Sequence, residues 1–397
     1  MTISEFFALY ARHPQIANVN QWVQQHTEKT LSVQGLIGSS RALLLAAVFQ
    51  ANKMPLLVLH DDAESAAYLY HDLTQLLGNE SVYFLPSSFK RKIKYEQVDT
   101  ANEILRTEVL NAYTSGKPCI VISSPEGVME KVASQELLKK SSIPIHVGEA
   151  LSQDFLIELL YEEGFEKVDF VYEPGQYSVR GSIVDVFSYS CEQPYRIDFF
   201  GNEVESIRLF DIETQLSKEK EQVVTIVADL QRAEKTELTS LFEFIPKETV
   251  LCFTDFLYVK DKINQLYDEA LVGVNDTQTH VSELKQLIIA GDDFKRLTEP
   301  FRKMEVGTKR YFKSSPIITF SCSPQPLFHK NFDLVFQSFK QSLSDGYSLY
   351  ILSDNKKQTD RIQAIFEDKG ENIVFTPVLK TLHDGFIDHD MALCCYT

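Results

Sequence analysis

Residues 55–77 read PLLVLHDDAESAAYLYHDLTQLL, and their order decides the fold class. Leu56 to Leu59 form a short unbroken apolar run, which suits a strand buried on both faces. Asp62 then precedes a segment whose apolar residues recur every three to four positions, the pattern of a helix begun by an acidic cap. Working outward, VYFLP (82–86) and CIVISS (119–124) repeat the apolar run. Strands alternating with helices predict an α/β fold with a parallel sheet wrapped by helices.

Beyond a helix-like stretch, SQDFLIELLYEEGF (152–165), the character changes. KVDFVYE (167–173), a turn at Pro174-Gly175, QYSVRGSIVDVF (176–187), PYRIDFF (194–200) and EVESIRLFD (203–211) are short alternating runs. They predict a β-rich antiparallel insert preceded by one helix, an α+β unit. From about residue 212 the helix and strand alternation is expected to return, with TVLCFTD (249–255) as a strand and FLYVKDKINQLYDEA (256–270) as the helix behind it. The charged stretch KRLTEPFRKMEVGTKRYFKSSP (295–316) is the best linker candidate. After it, PIITFSC (316–322), FDLVFQSFKQSL (332–343), YSLYILS (347–353), KKQTDRIQAIFEDKG (356–370), IVFTP (373–377) and MALCCYT (391–397) predict a further small α/β unit. The chain ends inside an apolar run, which suggests a piece of a longer protein.

Composition narrows the function classes. The 397 residues are 44% hydrophobic, enough for true cores and incompatible with a disordered chain. The formal charge is −17, from 39 basic and 56 acidic residues, which argues against a surface that grips nucleic acid throughout. No apolar run has the length of a membrane span and the start lacks the layout of a signal peptide, so a cytoplasmic location is expected. The six cysteines form no metal-ligand spacing, and four sit in strand-like apolar runs as small buried hydrophobes. Neither a structural metal nor a cofactor is expected.

Two local features carry chemistry. GLIGSSRALLLAAV, from Gly35, precedes an apolar helix as a phosphate loop does, with Gly35, Gly38 and Ser39 in the loop. Yet Ser40 takes the place of the second glycine of G-x-x-x-x-G-K-[ST], Arg41 that of the lysine, and Ala42 that of the magnesium-binding hydroxyl. This degenerate loop points away from ATP hydrolysis, although free N–H groups at the helix start would still suit a phosphate or sulfate. In PYRIDFF, period 2 puts Tyr195, Ile197 and Phe199 on a core face and Arg196, Asp198 and Phe200 on the other. A large aromatic among charges on the wet side has the composition of an interface hot spot, and packing under a neighbouring loop is the alternative. Arg180 is able to extend that patch, but the sequence leaves the strand register open. The densest basic run, FKRKIKYEQ (89–97), with Lys90, Arg91, Lys92, Lys94, Phe89 and Tyr95, suits either a nucleic-acid contact or a solvated loop. No catalytic triad order, zinc-helix motif or nucleophile elbow appears.

The run GFEKVDFVYEPGQYSVRGSIVDVFSYSCEQPYRIDFFGNEVESIRLFDIETQLS (164–217) resembles the UvrB-homology module of the bacterial transcription-repair coupling factors, in the order PGQY-x-x-RG, VDVF, PYR-x-DFF and E-x-x-x-I-R-x-FD. The resemblance implies a RecA-like domain of the P-loop NTPase type with a degenerate nucleotide site, in two parts (1–125 and 212–312), interrupted by a UvrA-docking domain (126–211) and followed by a small α/β domain (313–397). It implies that Arg180, Arg196 and Phe200 contact UvrA, and that the module recruits UvrA to stalled RNA polymerase without hydrolysing ATP. Contacts to RNA polymerase and double-stranded DNA, and an ATP-driven translocase, would belong to regions absent from this chain. The Tyr-rich hairpin with which UvrB probes damaged DNA has no counterpart in the short stretch around residues 84–97. A DNA-binding or weakly ATP-hydrolysing UvrB-like module is the alternative.

Overall fold

The computed structural model describes residues 1–25, 27–88, 100–230, 237–273, 278–329, 331–368 and 373–397. The apolar runs at Leu56–Leu59, Val82–Leu85, Ile120–Ser123 and Val250–Phe253 become strands of one parallel seven-stranded sheet. Its spatial order is Ile317–Thr319, Thr30–Gln34, Arg302–Val306, Val250–Phe253, Leu56–Leu59, Ile120–Ser123 and Val82–Leu85. Both faces are covered, so successive residues of one strand enter different cores. Leu56 and Val58 pack with the helices Ile3–Tyr10, Pro14–Gln25, Ser40–Asn52 and Ala63–Leu77. Leu57 and Leu59 pack with Thr100–Thr114, Phe256–Gly273 and Gly291–Thr298. Helix Ala63–Leu77 starts as its sequence dictates, with the Asp62 carboxylate accepting the Ser65 N–H at 2.8 Å.

The segment expected as a linker is instead part of this sheet. Arg302–Val306 lies between Thr30–Gln34 and Val250–Phe253, with Glu305 only 1% exposed. Its charges have backbone partners. Lys303 Nζ donates to the carbonyls of Phe301 and Glu299 at 3.1 and 3.4 Å, while the Glu305 carboxylate accepts N–H groups of Phe256, Tyr311 and Phe312. Burial pushes the Lys303 amine down to about 8 and raises the Glu305 carboxyl, and these polar contacts offset its cost.

A six-stranded sheet follows the order Ser217–Glu221, Glu203–Phe210, Tyr195–Phe200, Ile183–Val186, Gln176–Arg180, Glu166–Lys167. All its pairs are antiparallel except the last. Its inner face packs on helix Gln153–Glu162 through Leu156 and Leu160. Two expectations need correction here. KVDFVYE contributes only Lys167 to a strand; its Val168 and Val171 instead join Phe187 and Phe210 in a small cluster. The β-rich unit also does not stop at residue 212. Ser217–Glu221 extends the sheet, and Val223–Val227 pairs antiparallel with Ser142–His146. The charged SKEKE edge strand carries no apolar alternation to reveal it.

The third sheet is mixed, ordered Cys322–Pro324, Phe386–Asp388, Leu393–Tyr396, Ser348–Ser353, Thr376–Leu379. PIITFSC divides between two sheets: Ile317–Thr319 pairs with Ser32–Gln34, whereas Cys322–Pro324 pairs with Phe386–Asp388. The N-terminal helices join the third sheet to the first, through Phe6 against Tyr350 and the Tyr10 hydroxyl donating to Asp388 at 2.8 Å. Among the described residues no helix is long and apolar enough to cross a membrane.

Candidate docking surface and degenerate phosphate loop

Period 2 holds along Tyr195–Phe200: Tyr195, Ile197 and Phe199 are buried in the insert's core, while Phe200 is 79% exposed. The register that the sequence left open is now fixed. Arg196 stands opposite Asp185 on one neighbouring strand and opposite Arg208 on the other, and Arg180 lies one strand beyond Asp185. Asp185, 1% exposed, gathers both arginines. Arg196 donates from Nε and Nη2 to its two carboxylate oxygens at 2.7 and 2.9 Å, and Arg180 donates to it through Nη2. This forked pairing holds the Arg196 guanidinium above its ordinary pKa.

Aromatic rings set the tilt of both guanidiniums. Arg196 lies 4.5 Å above the Phe210 ring and Arg180 5.4 Å above that of Phe170. The side chain of Arg196 is 14% exposed and that of Arg180 40%. Phe170, beneath Arg180, is itself exposed. Sequence reasoning missed Asp185, Phe170 and Phe210. The alternation in SIVDVF places Asp185 on the outer face, and that signal could have found it.

The loop from Gly35 leads into helix Ser40–Asn52 and turns its polar groups inward. Gly35 and Gly38 adopt left-handed φ of 84° and 55°, and a Cβ on Gly35 would meet the Phe320 carbonyl oxygen at 1.8 Å. Ser39 caps helix Ser40–Asn52 without a side-chain hydrogen bond to it. Ser40 closes the loop on itself, accepting the Ile37 N–H at 2.9 Å and donating to the Ile37 carbonyl at 2.7 Å. The Ser39 N–H, expected to be free for an anion, donates to the Asp384 carbonyl at 3.1 Å. The Ser39 hydroxyl donates to buried Asp72 at 2.5 Å and accepts the Asp384 N–H at 3.0 Å, while the His383 N–H donates to Asp72 at 2.7 Å. The segment around Asp384 therefore sits where a phosphate would approach.

Beside the loop a cavity of about 310 Å³ is lined by Arg41, His60, Tyr68, Thr254 and Asp384, among others. Burial lowers the Arg41 pKa against the opposing pull of Asp61 and Asp384, and burial raises that of Asp72. Ala42 is fully buried. The carboxylates Asp61, Asp72 and Asp384 around one arginine make a poor seat for a polyphosphate.

Among the described residues one group has the spacing to hold a metal: His13, Asp388 and Asp390. The Gln15 N–H donates to His13 Nδ1 at 3.0 Å, and His13 Nε2 lies 3.4 and 3.5 Å from carboxylate oxygens of Asp388 and Asp390. Together with the Tyr10 hydroxyl donating to Asp388, these contacts tie the N-terminal helices to the third sheet. The basic run 89–97 lies outside the described residues.

Residues 143–231 match the model of the UvrB interaction domain. This interval takes in the six-stranded sheet and the Val223–Val227 strand, and it holds Arg180, Arg196 and Phe200. At the level of whole proteins, the chain is similar to a transcription-repair-coupling factor of Staphylococcus aureus (strain bovine RF122 / ET3-1), 23% identical over 85% of this chain and 34% of the relative. It is also similar to one of Bacillus subtilis (strain 168), 32% identical over 47% of this chain and 16% of the relative. The chain is thus similar to the transcription-repair-coupling factors, with one stretch that matches the UvrB interaction domain, and it spans about a third of the length of the staphylococcal relatives it matches.

Proposed function

We propose that this chain is a UvrB-like docking module that recruits UvrA for transcription-coupled nucleotide excision repair, with Arg180, Arg196 and Phe200 as its contact residues. The observation that carries this is Phe200, 79% exposed on the sheet face that also presents two guanidiniums, inside the interval matched to the UvrB interaction domain. An exposed phenylalanine beside arginines stacked on aromatic rings supplies an apolar anchor and charge-assisted donors together.

The parallel sheet with its loop-to-helix entry supports a RecA-like domain of degenerate P-loop type, split by the docking domain and followed by the small third domain. The strand pairings favour setting the insert's limits near Ser142 and Ala228, moved from 126 and 211. The occupied loop favours a module that hydrolyses no ATP and needs no cofactor. RNA polymerase, duplex DNA and ATP-driven translocation belong, on this proposal, to regions outside these 397 residues, in a cytoplasmic protein.

Titration of UvrA against the full chain and against an Arg196→Glu/Phe200→Ala double variant tests the assignment. Hot spots at these positions predict a loss of about 2–4 kcal/mol in binding. Equal binding with an unchanged circular dichroism spectrum overturns it.

A further inference from the structure

One register row crosses five strands of the docking sheet. Ser178, Asp185, Arg196, Arg208 and Lys220 stand opposite one another in turn, and directly paired residues share a face. Asp185 is the row's one carboxylate, and Arg196 and Arg180 already take it. Arg208 is left between Arg196 and Lys220, and like charges placed directly opposite repel.

Among the described residues Arg208 makes no ion pair, and its Nε is buried without a hydrogen-bond partner although the residue is only half-buried. Nearby acids are engaged elsewhere: Asp198 accepts from the Ser182 hydroxyl at 3.0 Å, and Asp211 pairs with Lys218 at 2.8 Å. A chain with 56 acidic against 39 basic residues has acids enough to neutralise this row, yet only Asp185 stands in it and none pairs with Arg208. An unneutralised cation row beside an exposed aromatic matches a partner that brings the missing charge.

We propose that Arg208, flanked by Lys220, receives a carboxylate of the docked UvrA on the same face as Phe200. The proposal rests on the UvrA assignment and adds the chemistry of the partner's contacting group. An acidic side chain there would separate Arg208 from its two cationic neighbours and turn mutual repulsion into alternating charge.

The test measures UvrA binding to the full chain at several salt concentrations, together with the thermal midpoint of each variant. Arg208→Gln is expected to weaken binding at least tenfold at low salt and flatten the salt dependence, with an unchanged or higher midpoint because a like-charge contact is relieved. Arg208→Lys should keep most of the salt dependence. Unchanged binding by Arg208→Gln, with Phe200→Ala still weakening it, overturns this proposal and leaves the docking assignment standing; unchanged binding by both variants defeats the assignment itself. A lowered midpoint that accounts for the lost binding reduces Arg208 to a structural role and also overturns the proposal. Should Arg208→Gln fail to fold, exposed Lys220→Gln decides: a smaller salt-dependent loss supports the row, and an unchanged affinity and salt slope overturn it.

Discussion

Asp185 and Asp72 are equally hidden, 1% and 2% exposed, and they are used in opposite ways. Asp185 gathers two guanidiniums that stay partly exposed at the surface of the six-stranded sheet. Asp72 gathers a hydroxyl and a backbone N–H from two parts of its own chain, Ser39 and His383, and so seals a loop. The same buried carboxylate therefore either holds donors at the surface or seals a loop from within. What differs is the origin of the donors: long side chains that reach past the carboxylate in one case, short groups that end at it in the other.

The largest expected effect tests the presenting side. Asp185→Ala leaves two arginines crowded without their shared partner and should cost on the order of 3 kcal/mol of stability, read as a shift of the urea midpoint at unchanged m-value. A cost near zero would mean that the pair is held by the Phe210 and Phe170 rings alone. On the closing side, Asp72→Ala strips an acceptor from two donors and should cost about 1–3 kcal/mol. Amide exchange at His383 and Asp384 should accelerate first, and protection equal to that of the parent would show that Asp72 does not hold this segment. The smallest effect is expected from restoring the motif. Ser40→Gly/Arg41→Lys/Ala42→Ser recreates the phosphate-loop spelling, yet phosphate release should stay at the blank because Asp384 still holds the Ser39 N–H. Hydrolysis above the blank would show that the residues themselves, and not the occupied loop, had silenced the site.

How much of this was legible follows from where each partner lies. The outer face of PYRIDFF could be read because period 2 is local and the odd aromatic is in the same strand as the arginine. The junction of Arg180 with Arg196 could not, since it depends on register and on Asp185 standing between them. KRLTEPFRKMEVGTKRYFKSSP reads as a linker because its charges look solvated. Lys303 and Glu305 find backbone partners that a sequence cannot display, and a strand that is apolar only in part enters the middle of the sheet. The closure of the phosphate loop lay furthest from view. Ser39 meets a segment 345 residues later, and the substituted motif residues do not reveal what fills the space.

The division of PIITFSC has a mechanical side. Only Phe320 and Ser321 separate the strand that edges the seven-stranded sheet from the strand that edges the five-stranded one. The Phe320 N–H is itself pinned to the Gln34 carbonyl at 2.8 Å. So short a coupling transmits torque: a rotation of the third unit has no slack in which to dissipate and peels the Ile317–Thr319 strand from its neighbour. The two sheets must move as one lever, or part at that seam.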